Sequence, residues 1–117
     1  MIAHVVLFEP KPDVPAEVTR AFFEALRTTV RAVPEMLRAQ VGRTADSGQE
    51  TKYVGSQMTY SFLAIFEFEN RGGLERYLSS PSHDAVREMF WGHCQSTVIA
   101  DAEMVDVDSG EPFDWVE

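Results

Sequence analysis

The segment YSFLAIFEFE, residues 60–69, decides the fold class that this sequence predicts. Its side chains alternate in character, so the segment is predicted to be a β-strand with two distinct faces. One face carries Tyr60, Phe62, Ala64, Phe66 and Phe68, and the other carries Ser61, Leu63, Ile65, Glu67 and Glu69. Because large apolar residues occur on both faces, both sides of this strand need cover from water.

Further strands and helices are predicted on either side of this segment. Residues 2–8 are dense in β-branched and apolar side chains and end before Pro10, which indicates a buried strand. Apolar residues recur at helical spacing after Pro15, and that helix is expected to end before Pro34. In chain order, the predicted elements are a strand at 2–8, a helix from 15 to about 33, strands at 37–43 and 60–69, helices at 74–79 and 81–95, and a strand at 97–107.

The predicted order is β-α-β-β-α-β, which is typical of the ferredoxin-like arrangement in the α+β class. That order gives a four-stranded antiparallel sheet with the helices on one face. The opposite face would expose Leu63 and Ile65 unless a second copy of the chain covers it. Burial of apolar area contributes roughly 25 cal/mol per Å². We therefore predict a homodimer that pairs its two sheets as a dimeric α/β barrel.

A single domain is predicted at residues 1–107, followed by an acidic C-terminal tail at residues 108–117. A chain of 117 residues has the length of one domain. The tail carries Phe113 and Trp115, and large exposed aromatic residues are unusual in a free terminus. We expect the tail to pack on the partner subunit, with a flexible acidic terminus as the alternative.

The composition argues against several classes of partner. The formal net charge of −9 disfavours nucleic acid and anionic membrane surfaces, because both require a basic footprint. No apolar run approaches the roughly 18 residues of a membrane span, and the first residues lack the basic start of a signal peptide. Cys94 is the single cysteine, and the three histidines lack metal-ligand spacing. We predict a cytoplasmic protein without a metal or cofactor, whose partners are a second copy and a small apolar ligand.

Four pairs of short segments, taken in order, resemble the stress-responsive dimeric α/β barrel (Dabb) family. They are His4-Val5-Val6-Leu7-Phe8 with Lys11-Pro12, Val33-Pro34 with Val41-Gly42, Tyr60-Ser61-Phe62 with Phe66-Glu67-Phe68, and Leu74-Glu75-Arg76-Tyr77-Leu78 with Pro81-Ser82-His83. The resemblance covers residues 1–106 and implies the ferredoxin-like fold and dimerisation. The family includes a plant polyketide cyclase, whose catalytic tyrosine and histidine resemble Tyr77 and His83. The first-strand histidine of that cyclase is similar to His4.

His83 occupies a position suited to acid–base chemistry. Ser80 can cap the helix that begins at Pro81, which places His83 in the first helical turn. The positive end of the helix dipole disfavours an imidazolium there, so we expect a neutral ring that can act as a general base. Tyr77 precedes it on the short helix, and its hydroxyl would donate a hydrogen bond to a developing enolate oxygen. The competing interpretation makes both residues structural, one at a helix start and one in the core.

His4 and three aromatic residues, Phe62, Phe66 and Tyr60, are candidates for substrate binding. The first and third strands are central in this topology, so their side chains can line one cavity together with His83. An aromatic stripe at strand spacing is more often ordinary core, and a mid-strand histidine is more often a buried residue with satisfied hydrogen bonds. Both interpretations stay open at the level of sequence.

Three functions fit these features. The first is a cofactor-independent cyclase or isomerase that acts on a small apolar carbonyl compound through His83 and Tyr77. The second is a non-catalytic, stress-associated or small-ligand-binding dimer. The third is a small monooxygenase, because haem-degrading and quinone-forming monooxygenases share the ferredoxin-like architecture.

Overall fold

The computed structural model describes residues 1–45 and 60–114 and contains seven elements in this part of the chain. They are β1 (Ile2–Pro10), α1 (Ala16–Ala32), β2 (Met36–Arg43), β3 (Phe62–Phe68), α2 (Arg71–Leu78), α3 (Pro81–His93) and β4 (Cys94–Glu103). The four strands form one antiparallel sheet in the order β2-β3-β1-β4. This arrangement confirms the predicted α+β, ferredoxin-like fold, with the second helical region divided into α2 and α3.

The core lies between one face of the sheet and the three helices. Alternate residues of β1, including Val6 and Phe8, are buried against the helices. From α1, Phe22 and Leu26 are buried at helical spacing, as their sequence pattern predicts. The ring of Phe8 packs edge-on against that of Phe22, with 6.2 Å between centroids. Burial of this contiguous apolar cluster is the main favourable contribution to the stability of the monomer.

The start of α2 corrects the prediction that this helix begins at residue 74. The side chain of Asn70 accepts a hydrogen bond from the backbone N–H of Gly73 at 2.9 Å, so the helix begins at Arg71. A β-carbon at Gly73 would lie 2.5 Å from Cβ of Glu35. Only glycine permits this close approach between α2 and the residue that precedes β2.

The last strand also differs from its predicted bounds of 97–107. The chain passes directly from α3 into β4 at Cys94, and the backbone N–H of Lys11 donates to the carbonyl of His93 at 2.8 Å. At the other end, Glu103 pairs with Ile2, the first residue of β1. Beyond this pair, the Met104 N–H donates to the Met1 carbonyl at 3.0 Å, and β4 ends at Glu103, four residues before the prediction.

No helix among the described residues covers the second face of the sheet. Val5, Leu7, Leu63 and Ile65 point to this open face and are half-buried, and the neighbouring Val98 on β4 is 45% exposed. The apolar face predicted from the alternation in β3 is therefore present in the single chain.

In the part of the chain that the structure describes, no helix has the length and apolar character needed to cross a membrane.

The C-terminal tail follows β4 as a turn and an extended segment. A backbone hydrogen bond of 2.8 Å from the Gly110 N–H to the Asp106 carbonyl closes the turn. Phe113 is 58% exposed in the single chain. Trp115, the second aromatic residue of the predicted tail contact, lies outside the described residues. Packing of the tail on a partner subunit stays a prediction.

Candidate functional site

A cavity of about 490 Å³ lies on the helix side of the sheet, between α3 and the strands β1 and β4. Ile99 pairs with the buried Val6 and therefore faces the same side of the sheet, yet its side chain is 59% exposed. The helices thus leave the edge strand β4 partly uncovered, and the cavity opens there. The lining residues are His4, Val6, Tyr77, Leu78, His83, Arg87, Phe90, Trp91, Cys94, Gln95, Ser96, Thr97 and Ile99. This volume and mixture of polar and apolar walls suit a small organic ligand.

His83 enters the cavity from the first turn of α3. The Ser80 hydroxyl caps the helix by accepting a hydrogen bond from the His83 backbone N–H at 3.3 Å. In the ring, Nδ1 is buried and has no hydrogen-bond partner among the described residues. Burial is the main cause that lowers the pKa of His83, and the positive charges of Arg87 and His4 lower it further, against smaller opposing effects of Asp84 and the Leu78 backbone. The ring is therefore neutral at neutral pH and able to accept a proton.

Tyr77 lies beside His83 at the end of α2. Its ring meets the His83 ring edge-on with 4.7 Å between centroids, and the residue is only 1% exposed. Burial raises the pKa of the Tyr77 hydroxyl well above its ordinary value of 10, so the hydroxyl keeps its proton. A neutral tyrosine next to a neutral imidazole is a hydrogen-bond donor beside a proton acceptor.

Ser80 connects the two residues across the break between α2 and α3. Its hydroxyl donates to the Tyr77 carbonyl at 2.8 Å and accepts from the His83 N–H at 3.3 Å. The backbone at Ser80 is extended, with φ −79° and ψ 150°, so the chain changes direction at this residue. This turn brings two side chains that are six positions apart in sequence into ring contact.

His4 contributes a second imidazole to the wall of the cavity. Its Nδ1 forms a short hydrogen bond with a carboxylate oxygen of Asp101, the residue that pairs with it on β4. His4 is 4% exposed, and its ring lies 5.9 Å from that of Tyr77 between centroids. The carboxylate fixes the orientation of the ring and, in the neutral tautomer protonated at Nδ1, leaves Nε2 as an acceptor.

Two residues of α3 belong to this site although the sequence did not single them out. Arg87 and Trp91 follow His83 at intervals of four residues and therefore share its helix face. Trp91 is 82% exposed, which is unusual for so large an apolar side chain. The four-residue spacing was the signal that would have found both. The pairing of Asp101 with His4 was also missed, because it joins two strands that lie far apart in the sequence.

The aromatic residues predicted to bind substrate have three different placements. Phe66 is fully buried behind the cavity, where its ring contacts those of His4 and Tyr77 at 5.7 Å and 5.5 Å between centroids. Phe62 lines a separate cleft of about 310 Å³ next to α1. Tyr60 is half-buried before β3 and does not line the cavity. The structure thus brings together His83, Tyr77 and His4, with Phe66 as support, and leaves Phe62 and Tyr60 elsewhere.

Cys94 lines the cavity as a buried thiol, and burial raises its pKa. It is consequently protonated at neutral pH and contributes a weakly polar wall. Over residues 1–45 and 60–114, no group of three or more histidine, cysteine or acidic side chains is placed to hold a metal ion.

The fold and the cavity together define a class: ferredoxin-like α+β proteins with a small-molecule cavity between the last helix and the sheet. The sequence profile of the stress-responsive A/B barrel domain family matches residues 2–104. The chain therefore belongs to the stress-responsive A/B barrel domain (Dabb) family, as the ordered segments indicated. No curated protein matches the chain significantly in sequence.

Solved structures share the fold over nearly the whole chain. The Arabidopsis thaliana protein At3g17210 is 18% identical with a TM-score of 0.72, over 92% of this chain and 98% of its own. A dimeric ferredoxin-like protein from Bacteroides fragilis is 24% identical with a TM-score of 0.64, over 88% and 95%. The hydroxynitrile lyase of Passiflora edulis is 15% identical with a TM-score of 0.66, over 86% and 90%. At these identities the likeness shows the fold alone.

Proposed function

We propose that the cavity binds a small, mainly apolar carbonyl compound and that His83 removes a proton from the carbon next to the carbonyl. The reaction class is a cofactor-independent cyclisation or isomerisation. The contact between His83 and Tyr77 carries this proposal, because it places a proton acceptor beside a hydrogen-bond donor in one cavity. Proton abstraction next to a carbonyl needs both groups, one at carbon and one at oxygen.

In the proposed step, the neutral His83 ring takes the proton as the C–H bond breaks. The electron pair of that bond forms the C=C bond of an enolate, and the carbonyl π pair moves to oxygen. Tyr77 donates a hydrogen bond to this oxygen, and its raised pKa keeps the donor proton on the phenol. The enolate carbon then attacks a second carbonyl of the same molecule, or His83 returns the proton at another carbon.

His4 would contact the ligand near its carbonyl end, because its ring lies beside that of Tyr77. Its bond to Asp101 holds the ring, and its contact with Tyr77 places it near the same oxygen site. Asp101 occupies Nδ1, so Nε2 is the ring atom left for the ligand, while His83 supplies the base.

The active form would be a homodimer that joins the open sheet faces of two copies. The half-buried Leu7, Leu63 and Ile65 and the exposed Val98 supply the apolar surface for this contact. The dimeric state of the Bacteroides fragilis protein supports the same assembly here. The cavity lies on the helix side of the sheet, so this dimer leaves its opening free.

The second candidate is a non-catalytic dimer that binds a small ligand in the same cavity. The exposed Trp91 and Ile99 at the opening favour it, because they supply apolar contact area without any chemistry.

The monooxygenase alternative stays a hypothesis with the same fold, and absorbance of a haem or flavin in the purified protein would favour it. The cytoplasmic location likewise stays a prediction.

Deuterium exchange at the acidic carbon of ethyl benzoylacetate tests the proposed chemistry without knowledge of the natural substrate. We expect the wild-type protein to accelerate exchange in D₂O, as measured by proton NMR at neutral pH. His83→Gln removes the base and should lower the enzymatic rate about 10²- to 10⁴-fold. Tyr77→Phe keeps the ring and removes only the donor, so we expect a loss of about 10²- to 10³-fold.

His93→Gln is the matched control, because His93 ends the same helix but does not line the cavity. Its exchange rate should equal that of the wild type. A wild-type rate no faster than buffer would reject catalysis of enolisation. Saturable binding of the ester in that case, seen as chemical-shift changes, would favour the ligand-binding candidate.

A further inference from the structure

We infer that the natural ligand of this cavity carries a carboxylate, which Arg87 binds while the carbonyl end of the ligand reaches His83. This inference rests on the proposed function, since it names the substrate class of the same site. Among the described residues that line the cavity, Arg87 carries the only permanent positive charge. A guanidinium is the side chain best shaped to bind a carboxylate through two parallel hydrogen bonds.

The helix geometry sets the distance between the two binding points. His83 and Arg87 are four residues apart on α3, so their β-carbons are about 5–6 Å apart on one helix face. Both residues line the cavity, and the charge of Arg87 contributes to lowering the pKa of His83. A small ligand can therefore contact both side chains at the same time.

The exposure of the side chains along α3 indicates which end of the ligand lies deep in the cavity. His83 Nδ1 is buried, the Arg87 side chain is 53% exposed and Trp91 is 82% exposed. The apolar, uncharged end of a ligand would therefore occupy the deep part of the cavity, next to His83. The carboxylate would stay at the half-exposed Arg87, where it loses less of its hydration than at a fully buried site.

Arg87 keeps hydrogen-bond donors for this purpose. One of its terminal nitrogens donates to Asp84 at 2.6 Å, and the Asp84 side chain is 66% exposed. A guanidinium has five N–H donors, so most of them remain for a ligand. Exposed ion pairs at this spacing contribute little to stability, so the bond to Asp84 does not by itself account for an arginine at this position.

The positive charge of Arg87 contrasts with the negative net charge of the chain. With a formal net charge of −9, the protein repels anions at long range. An anionic ligand would therefore depend on short-range contacts with Arg87, and its affinity should fall when Arg87 loses its charge. A neutral ligand of the same shape would not depend on Arg87 in this way.

A matched pair of ligands tests the inference: 4-acetylbenzoate and its neutral amide, 4-acetylbenzamide, titrated by calorimetry at neutral pH. We expect the wild type to bind the carboxylate about tenfold or more tightly than the amide. Arg87→Met should abolish this preference, so that the variant binds the two ligands with similar affinity. Asp84→Asn should strengthen carboxylate binding, because it removes the anion that competes for Arg87.

Arg27→Met is the control, because Arg27 forms the same type of i,i+3 ion pair on α1 with a similarly exposed side chain of 56%. It should keep the preference for the carboxylate. Equal affinity of the wild type for both ligands, failure of both ligands to bind, or a preference that survives Arg87→Met would each overturn the inference. The proposed chemistry is judged separately, because exchange of the neutral ester does not require Arg87.

Discussion

His83 and Tyr77 acquire their properties from burial more than from charged neighbours. Burial disfavours the charged form of each residue, so it lowers the pKa of the imidazole and raises the pKa of the phenol. Both groups are neutral at neutral pH, one as an acceptor and the other as a donor. A single physical cause, the removal of water, would thus prepare both partners for the proposed reaction step.

The lowered pKa of His83 predicts a dependence of stability on pH. The unfolded chain binds a proton at His83 near its ordinary value of about 6.5, whereas the folded chain binds it only at lower pH. Stability should therefore fall as the pH drops through about 6.5. His83→Gln should weaken this fall between pH 7.5 and 5.5, as measured by urea unfolding at several pH values.

His93→Gln again provides the comparison for this prediction. It removes a histidine at the end of α3 that does not line the cavity, so the pH dependence attributed to His83 should persist. A wild-type protein and a His83→Gln variant with parallel stability curves over this pH range would contradict the prediction.

At the scale of elements, the break between α2 and α3 builds the site. A continuous helix would carry residues 77 and 83 on different faces, because six residues correspond to a rotation of about 600° at 100° per residue. The extended backbone at Ser80 ends one helix and starts the next, and its hydroxyl bonds to both. Pro81 then occupies the first position of α3, where a missing N–H costs nothing.

Ser80→Ala should therefore affect stability and chemistry together. Loss of the cap costs about 1 kcal/mol of folding free energy. Loss of the bond to the Tyr77 carbonyl should also lower the exchange rate of ethyl benzoylacetate, with the larger effect on kcat. Ser80→Thr keeps a hydroxyl and should retain both properties, whereas Ser80→Asp restores only the cap and should recover stability alone. Full activity in a folded Ser80→Ala variant would argue against a positioning role for Ser80.

At the scale of the whole molecule, the sheet separates two surfaces with different roles. The helix side holds the cavity, and the open side holds half-buried and exposed apolar residues such as Leu63, Ile65 and Val98. Since a dimer contact on the open side would not cover the cavity, the proposed assembly and the proposed ligand binding would use opposite faces. Burial of the open face in a dimer would also supply stability that a domain of this size has difficulty in supplying alone.

Ile65→Lys should disrupt the dimer, because Ile65 lies on a central strand of the open face opposite Val5. We expect the wild type to sediment at twice the mass of one chain and the variant at the mass of one chain or with a much weaker association. Val30→Lys on α1 replaces a residue that is 39% exposed and away from this face, and it should leave the dimer intact. A wild type that is monomeric at micromolar concentration would refute the proposed assembly.

The sequence by itself determined the order and type of the elements. Alternation in residues 60–69 and helical periodicity after Pro15 are local patterns, and they fix which side chains share a face before any folding contact is known. The same patterns predicted the apolar open face, and three of the candidate residues named from the sequence, His4, Tyr77 and His83, line the cavity. The predicted boundaries of the elements were less accurate, because they depend on hydrogen-bond and strand-pairing partners. Asn70 caps the start of α2, and Ile2 pairs with Glu103, the last residue of β4.

Only the tertiary structure decided which residues surround the cavity. Asp101 reaches His4 across 97 positions of sequence because β4 lies next to β1, and no local pattern encodes that pairing. Phe62 and Phe66 share one face of one strand. Phe62 nevertheless lines the cleft next to α1, whereas Phe66 packs against Tyr77 of α2, because different helices cover the two residues. Strand neighbours and helix packing bring distant residues into contact, so the content of the cavity is a property of the assembled fold.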